Sequence, residues 1–270
     1  MKLLTKKHIQ SIFKPREKTS HKGKNGHVLL IAGASGKMGA AVIAANACLR
    51  SGCGLLTVSV PESERCILQI ARPEAMLIFR ENKIENISLY SSIGIGPGLG
   101  IENDSKKILI PILQSKQPLV LDADALNIIA ANPKLFSQIP PQSILTPHPK
   151  EFDRLFGVSN SAYNRLLKQR EMAIKYHVIL VLKGSFTSVA NTNGEIFFNP
   201  TGNPSMATGG SGDVLTGIIA GLLAQSNSPE NAAKLGVYFH GQAGDSALKS
   251  ILQQSITASD IVKSYTLKTP

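Results

Sequence analysis

The chain has 270 residues, of which 43% are apolar and 5% aromatic, with no Trp and a formal charge of +11. That length suits one large α/β domain spanning residues 1–270, and a core drawn from Ala, Ile, Leu and Val suits a buried parallel sheet. A basic nucleic-acid binder spreads its charge over a folded face, but here the first 24 residues hold eight basic side chains against Glu17 alone, and the other 21 basic and 17 acidic residues leave a net of only +4.

A nucleic-acid partner is therefore not expected, and residues 1–22 read as a solvated basic arm or helix. The N-terminus lacks the apolar stretch of a signal peptide. The longest apolar run, residues 214–224, is too short to span a membrane. Cys48, Cys53 and Cys66 form neither a CxxC pair nor a zinc-ligand pattern, and read as reduced, mostly buried thiols in a cytoplasmic protein.

Residues 28–31 read as a strand, followed by the glycine-rich Gly33-Ala34-Ser35-Gly36-Lys37-Met38-Gly39 and an Ala-rich helix at about 40–51. This loop is neither a P-loop nor GxGxxG, because the glycine spacing is wrong for both. Strands follow at 55–60, 76–79 and 92–95, the last running into Gly94-Ile95-Gly96-Pro97-Gly98-Leu99-Gly100. Four glycines there let a flat ligand approach the backbone, and ligands of doubly wound sheets bind at the carboxyl ends of strands.

After a helix at 102–114, the strand 119–121 ends in Asp122-Ala123-Asp124. Two carboxylates at a strand end are costly to bury without partners. One can cap the next helix while the other binds a metal or a substrate hydroxyl. The strand 144–145 leads into Thr146-Pro147-His148-Pro149-Lys150-Glu151. The two prolines restrict His148, and Glu151 suits the first turn of a helix.

A helix at 162–176 precedes the most apolar strand, 178–182, which delivers Lys183-Gly184-Ser185-Phe186-Thr187. Lys183 leaves a buried run and needs an anionic partner, a phosphate for instance, or an escape to water. Strands 188–190 and 195–198 flank Asn191-Thr192-Asn193-Gly194, a hairpin signal. Thr208-Gly209-Gly210-Ser211-Gly212-Asp213 then opens a helix at 212–224, and a last helix covers 229–248. Free N–H groups at that helix start make an anion hole. Asp213 is placed either as a general base for a hydroxyl or as a simple N-cap. Three flanking glycines exceed what a cap requires, and favour catalysis.

Alternation of β and α at this spacing predicts a doubly wound, largely parallel central sheet with helices on both faces. In order, Lys22-Gly23-Lys24-Asn25-Gly26-His27, the Gly33 loop, GPGLG, LDADALN, TPHPKEF, VLKGSFT, GGSGD and Tyr238-Phe239-His240-Gly241 resemble the ADP/ATP-dependent NAD(P)H-hydrate dehydratases of the ribokinase-like superfamily. The resemblance covers about residues 22–262. It implies phosphorylation of the S epimer of hydrated NADH or NADPH from ADP or ATP, then loss of phosphate.

Carried over motif by motif, Lys183, Gly184, Ser185, Phe186, Thr187 and Gly212 hold the nucleotide. Ala40, Gly100, His148 and Asp213 touch the hydrate. Asp213 is the base, and Gly210, Ser211 and Gly212 belong to the anion hole. The resemblance also implies Mg²⁺, with Asp122, Asp124 and Glu151 as candidate ligands, a separate NAD(P)H-hydrate epimerase in the same pathway, and a homo-oligomer such as a tetramer. The rival expectation is a kinase for a hydroxylated vitamin precursor, a pyrimidine or thiazole alcohol, sharing GGSGD and the sheet.

Overall fold

The computed structural model describes residues 1–82, 84, 86–251 and 255–267. Ten strands form one sheet: β1 (Lys2–Leu3), β2 (His27–Ile31), β3 (Leu55–Val60), β4 (Met76–Phe79), β5 (Ser92–Ile95), β6 (Leu119–Leu121), β7 (Ile144–Leu145), β8 (Ile179–Leu182), β9 (Ser188–Ala190) and β10 (Ile196–Phe198). Among the described residues ten α-helices accompany them: α1 (Lys6–Ile12), α2 (Met38–Arg50), α3 (Arg65–Ala71), α4 (Asn103–Leu113), α5 (Ala123–Ala131), α6 (Pro149–Phe156), α7 (Ala162–Lys175), α8 (Ser211–Ala224), α9 (Pro229–Ile251) and α10 (Ala258–Ser264).

The strand order is β1-β10-β9-β8-β7-β6-β5-β2-β3-β4. All neighbours are parallel except β9, which runs antiparallel to both β8 and β10. Side chains alternate across a strand, so β2 feeds two cores. Val28 and Leu30 pack with α2, α8 and α9, while Leu29 and Ile31 pack with α4 and α5 on the other face. Burial on both faces is why these strands read as continuous apolar runs rather than alternating ones. The hairpin expected around Asn191 is present, closed by the Asn191 N–H donating to the Glu195 carbonyl at 3.0 Å.

The basic N-terminal segment is not a free arm. β1 pairs in parallel with β10, and Leu4 and Ile9 are fully buried. Its lysines face solvent while its apolar residues dock, because a short strand and a seven-residue helix cover the exposed edge of β10. Among the thiols only Cys48 is buried; Cys66 is exposed, and the Cys48 and Cys53 sulfurs lie 3.6 Å apart.

The chain turns from β2 outward through β3 and β4, then returns to place β5 on the other side of β2. Ligands of open α/β sheets bind at such a reversal, beyond the carboxyl ends of the strands. Here the two loops leaving β2 and β5 touch, with the Gly33 N–H donating to the Pro97 carbonyl at 2.8 Å.

Candidate active site

At the carboxyl ends of β6, β7 and β8 lies a network centred on Asp122, which is 1% exposed. Its Oδ1 accepts from Lys183 Nζ at 2.7 Å, and its Oδ2 accepts from the Thr216 hydroxyl at 2.7 Å. Lys183 reaches the network because its backbone N–H donates to the Pro147 carbonyl, extending the edge of β8 by one bond. The side chain thus finds a protein carboxylate rather than escaping to water, with Glu151 Oε2 a further 3.9 Å away. Burial pulls the Lys183 pKa down, but the charges of Asp122 and Glu151 and the bond to Asp122 outweigh it and raise it. The ammonium is therefore firmly positive, and a Cβ added to Gly212 would lie 3.2 Å from it.

Asp213 stands on the third residue of α8. The N-cap is Gly210, at φ 87°, with no side-chain cap bond. The capping explanation of Asp213 fails, since no backbone N–H is bonded to its carboxylate among the described residues. Only glycine sits easily at such a φ, and a Cβ there would also press on Ile43 and Ala258 at 2.9 and 3.0 Å. Burial first, then the Asp122 and Asp124 charges, push the Asp213 pKa from its ordinary 3.8 to about 7, against the pull of Lys183. Val214 makes the first intrahelical bond, to the Gly210 carbonyl. The N–H groups of Gly212 and Asp213 precede it and point out of the helix start, available to an anion.

The other site residues surround this centre. Asp124 accepts from the Gly100 N–H at 2.8 Å and lies 4.0 Å from Lys37 Nζ. Gly96, at φ 131°, lets the β5 loop approach β6 so closely that a Cβ would sit 1.8 Å from the Asp122 carbonyl oxygen. Ala40 opens α2 beside Gly98, whose added Cβ would stand 2.9 Å from the Ala40 methyl.

His148 is the N-cap of α6. Its Nδ1 accepts from the N–H groups of Lys150 and Glu151, so the neutral ring carries its proton on Nε2. Glu151 completes the capping box by accepting from the His148 N–H at 2.9 Å, so the role expected for a first-turn acid holds. Burial lowers the His148 pKa, and Glu151 only partly opposes this.

Lys183 to Thr187 form the turn between β8 and β9. Gly184 and Ser185 are exposed, Phe186 is 75% exposed, and Thr187 bonds back to the Gly184 carbonyl. A Cβ on Gly184 or Gly209 would meet nothing within 4 Å, and neither has a positive φ. Neither the packing nor the backbone of the free protein calls for glycine at these two positions.

The three candidate metal ligands are all engaged: Asp122 by Lys183 and Thr216, Asp124 by Gly100, and Glu151 by His148. Among the described residues no group of three His, Cys, Asp or Glu is placed to hold a metal. A protein-only cage does not fit.

Three contributors were missed in the sequence. Thr216 is one turn into an apolar helix. Arg80 donates to the carbonyls of Gly33, Ala32 and Ser59 and so braces the β2 loop. His240 places Nε2 3.3 Å from the Ser211 hydroxyl, and burial pushes its pKa down to about 4. Only His240 had a signal, the YFHG motif.

A crystal structure of the ADP/ATP-dependent NAD(P)H-hydrate dehydratase from Bacillus subtilis, co-crystallized with ATP/Mg²⁺, matches with a TM-score of 0.87 and 31% identity, covering 98% of this chain and 96% of that one. The ADP-dependent (S)-NAD(P)H-hydrate dehydratase of the same organism is 36% identical over 251 residues, 89% of this chain and 88% of that protein. A ribokinase-like superfamily protein from Enterococcus faecalis matches with a TM-score of 0.85 and 32% identity, covering 98% of this chain and 93% of that one. The bifunctional NAD(P)H-hydrate repair enzyme Nnr of Moorella thermoacetica is 38% identical over 97% of this chain. The chain spans about half the length of that relative, 52%. A family model described as NAD(P)H-hydrate dehydratase matches residues 28–266. That match takes in every loop of the site, and the chain belongs to the NAD(P)H-hydrate dehydratase family, with a ribokinase-like fold.

Proposed function

We propose that the protein dehydrates the S epimer of hydrated NADH or NADPH, consuming ADP in preference to ATP and releasing AMP and phosphate. The observation that carries this is Asp213: a carboxylate without a hydrogen-bond donor, with a pKa near 7, beside the open N–H groups of a helix start. A base of that pKa is matched to neutral solution.

The hydroxyl of the hydrated nicotinamide ring attacks the terminal phosphorus of the nucleotide as Asp213 takes its proton. An O–P bond forms, and the phosphoanhydride bond breaks towards AMP. The anion hole at Gly210, Ser211 and Gly212, where the open N–H groups are those of Gly212 and Asp213, receives the charge of the transferred phosphoryl, and Lys183 adds its ammonium from the Gly212 side. The ring C–O bond then breaks with its electron pair leaving on phosphate. A ring carbon next to it loses a proton, and the dihydropyridine returns.

Gly184, Ser185, Phe186 and Thr187 hold the nucleotide, where the space over Gly184 and Gly209 admits it. Ala40, Gly100 and the His148 Nε2–H hold the hydrate. A Mg²⁺ bound with the nucleotide would neutralise phosphate charge. An NAD(P)H-hydrate epimerase supplies the S epimer from its counterpart in the same pathway.

Incubation with hydrated NADH, Mg²⁺ and ADP should restore the near-ultraviolet absorbance of the dihydropyridine, faster than with ATP. Accumulation of a phosphorylated hydrate without that absorbance would make the protein a kinase. No reaction with either nucleotide overturns the proposal.

A further inference from the structure

A cavity of about 540 Å³ adjoins the site at Asp124. Its floor is the small-residue face of α5, Ala130 and Ala131, and the exposed side chain of Ile101 forms one edge. Two cations line it, Lys37 from the β2 loop and Arg154 from α6. Neither is neutralised closely. Lys37 has only Asp124 at 4.0 Å, whose carboxylate already accepts from Gly100. Arg154 donates to the Asn127 amide oxygen at 2.5 Å, and no carboxylate pairs with it among the described residues.

An apolar floor between Arg154, which has no carboxylate partner among the described residues, and Lys37, which is paired only loosely with Asp124, suits a flat ring that carries phosphate, because guanidinium and ammonium groups recognise phosphate oxygens while the ring covers the aliphatic surface. Asp124 belongs to both the cavity and the reaction centre. One extended molecule can therefore occupy both.

We infer that this groove between α5, α6 and the β2 loop binds the adenosine-side phosphates of the dinucleotide, with Arg154 and Lys37 as the phosphate-binding residues. The inference rests on the proposed dehydratase reading, which requires a dinucleotide at this crevice. The phosphate is either the diphosphate bridge or the 2′-phosphate of NADPH.

The test is calorimetric titration of NADH and NADPH into the wild-type protein, Arg154→Ala and Lys37→Ala, with KM for each hydrate measured in parallel. Loss of a charge-assisted contact to phosphate should weaken binding roughly tenfold. Equal losses for both dinucleotides identify the diphosphate; a loss confined to NADPH identifies the 2′-phosphate. Lys116→Ala, in the turn before the amino end of β6, should change neither, which separates contact from general charge attraction. Wild-type affinity and KM for both dinucleotides in Arg154→Ala and Lys37→Ala overturn the inference, as does a wild-type protein that binds neither dinucleotide. Arg154-dependent NADPH binding without hydrate turnover would remove the dehydratase reading and leave the groove.

Discussion

The two charged residues at the centre differ in what their charge does. Asp213 is ionised against its surroundings and Lys183 with them. Asp213→Asn preserves shape and removes basicity, so kcat should fall about 10²–10⁴-fold, the usual range for a lost general base. In the wild type, kcat/KM should rise with pH towards a plateau above about 7, as Asp213 loses its proton. The stability effect has the opposite sign. The unfolded carboxyl ionises near 3.8 and the folded one near 7, so stability from the neutral form is full below the lower value and is lost through the higher. Asp213→Asn should therefore match the wild type in acid and melt at higher temperature above pH 7. Equal melting at both pH values would deny the burial.

Lys183 is a different case, since it compensates Asp122. Lys183→Met strands a buried carboxylate and should cost about 3–5 kcal/mol in denaturant unfolding. Adding Asp122→Asn should return most of that stability without returning activity. A double variant no more stable than Lys183→Met would show that the pair is not the source of the loss.

At the scale of elements, small residues divide into those the fold needs and those it does not. α8 lies against α2 so closely that a Cβ on Gly217 would sit 2.2 Å from the Ala44 carbonyl oxygen. Gly217→Ala must push the helices apart, at a cost of about 1–3 kcal/mol for overpacking. Gly184→Ala and Gly209→Ala meet open space, so the folded state should be unharmed or gain about 0.4–1 kcal/mol from a stiffer unfolded chain. Nucleotide binding should weaken in those two alone. Thermal melts and ADP titrations of all three variants separate the classes, and unchanged ADP affinity at Gly184 and Gly209 would mean that their space is not the nucleotide's.

The same scale shows where sequence reading stops. The inner strands and long helices were legible because buried runs and turn residues bound them closely. The seven-residue helices α3 and α10 were missed, because each is too short to declare a period.

At the scale of the molecule, β1 and α1 extend the sheet beyond β10, and their apolar residues hold them there rather than their charge. Leu4→Ala and Ile9→Ala should each cost about 2–5 kcal/mol, as large-to-small changes at fully buried sites do. Lys6→Ala and Lys7→Ala, both exposed, should stay within about 0.5 kcal/mol of wild type. The reverse ranking would restore the solvated arm. Of the two forms read for that segment, a solvated arm or a helix, the structure has a helix with a short strand before it, whose lysines face solvent while Leu4, Ile9, Ile12 and Phe13 pack against the core.

The sequence by itself determined the doubly wound sheet, the family, and which loops carry chemistry. Each rests on local order: apolar runs, glycine clusters and polar residues at strand ends. Which polar groups pair was decided only by the tertiary structure. Asp122 and Lys183 are 61 residues apart, and Asp122 and Thr216 are 94 apart. The motif order holds no distance between them, and only the parallel pairing of β6, β7 and β8, with α8 packed against the sheet, brings them together. Proximity there made Asp122, one of three candidate metal ligands, the partner of Lys183, and burial beside other carboxylates gave Asp213 the pKa of a base.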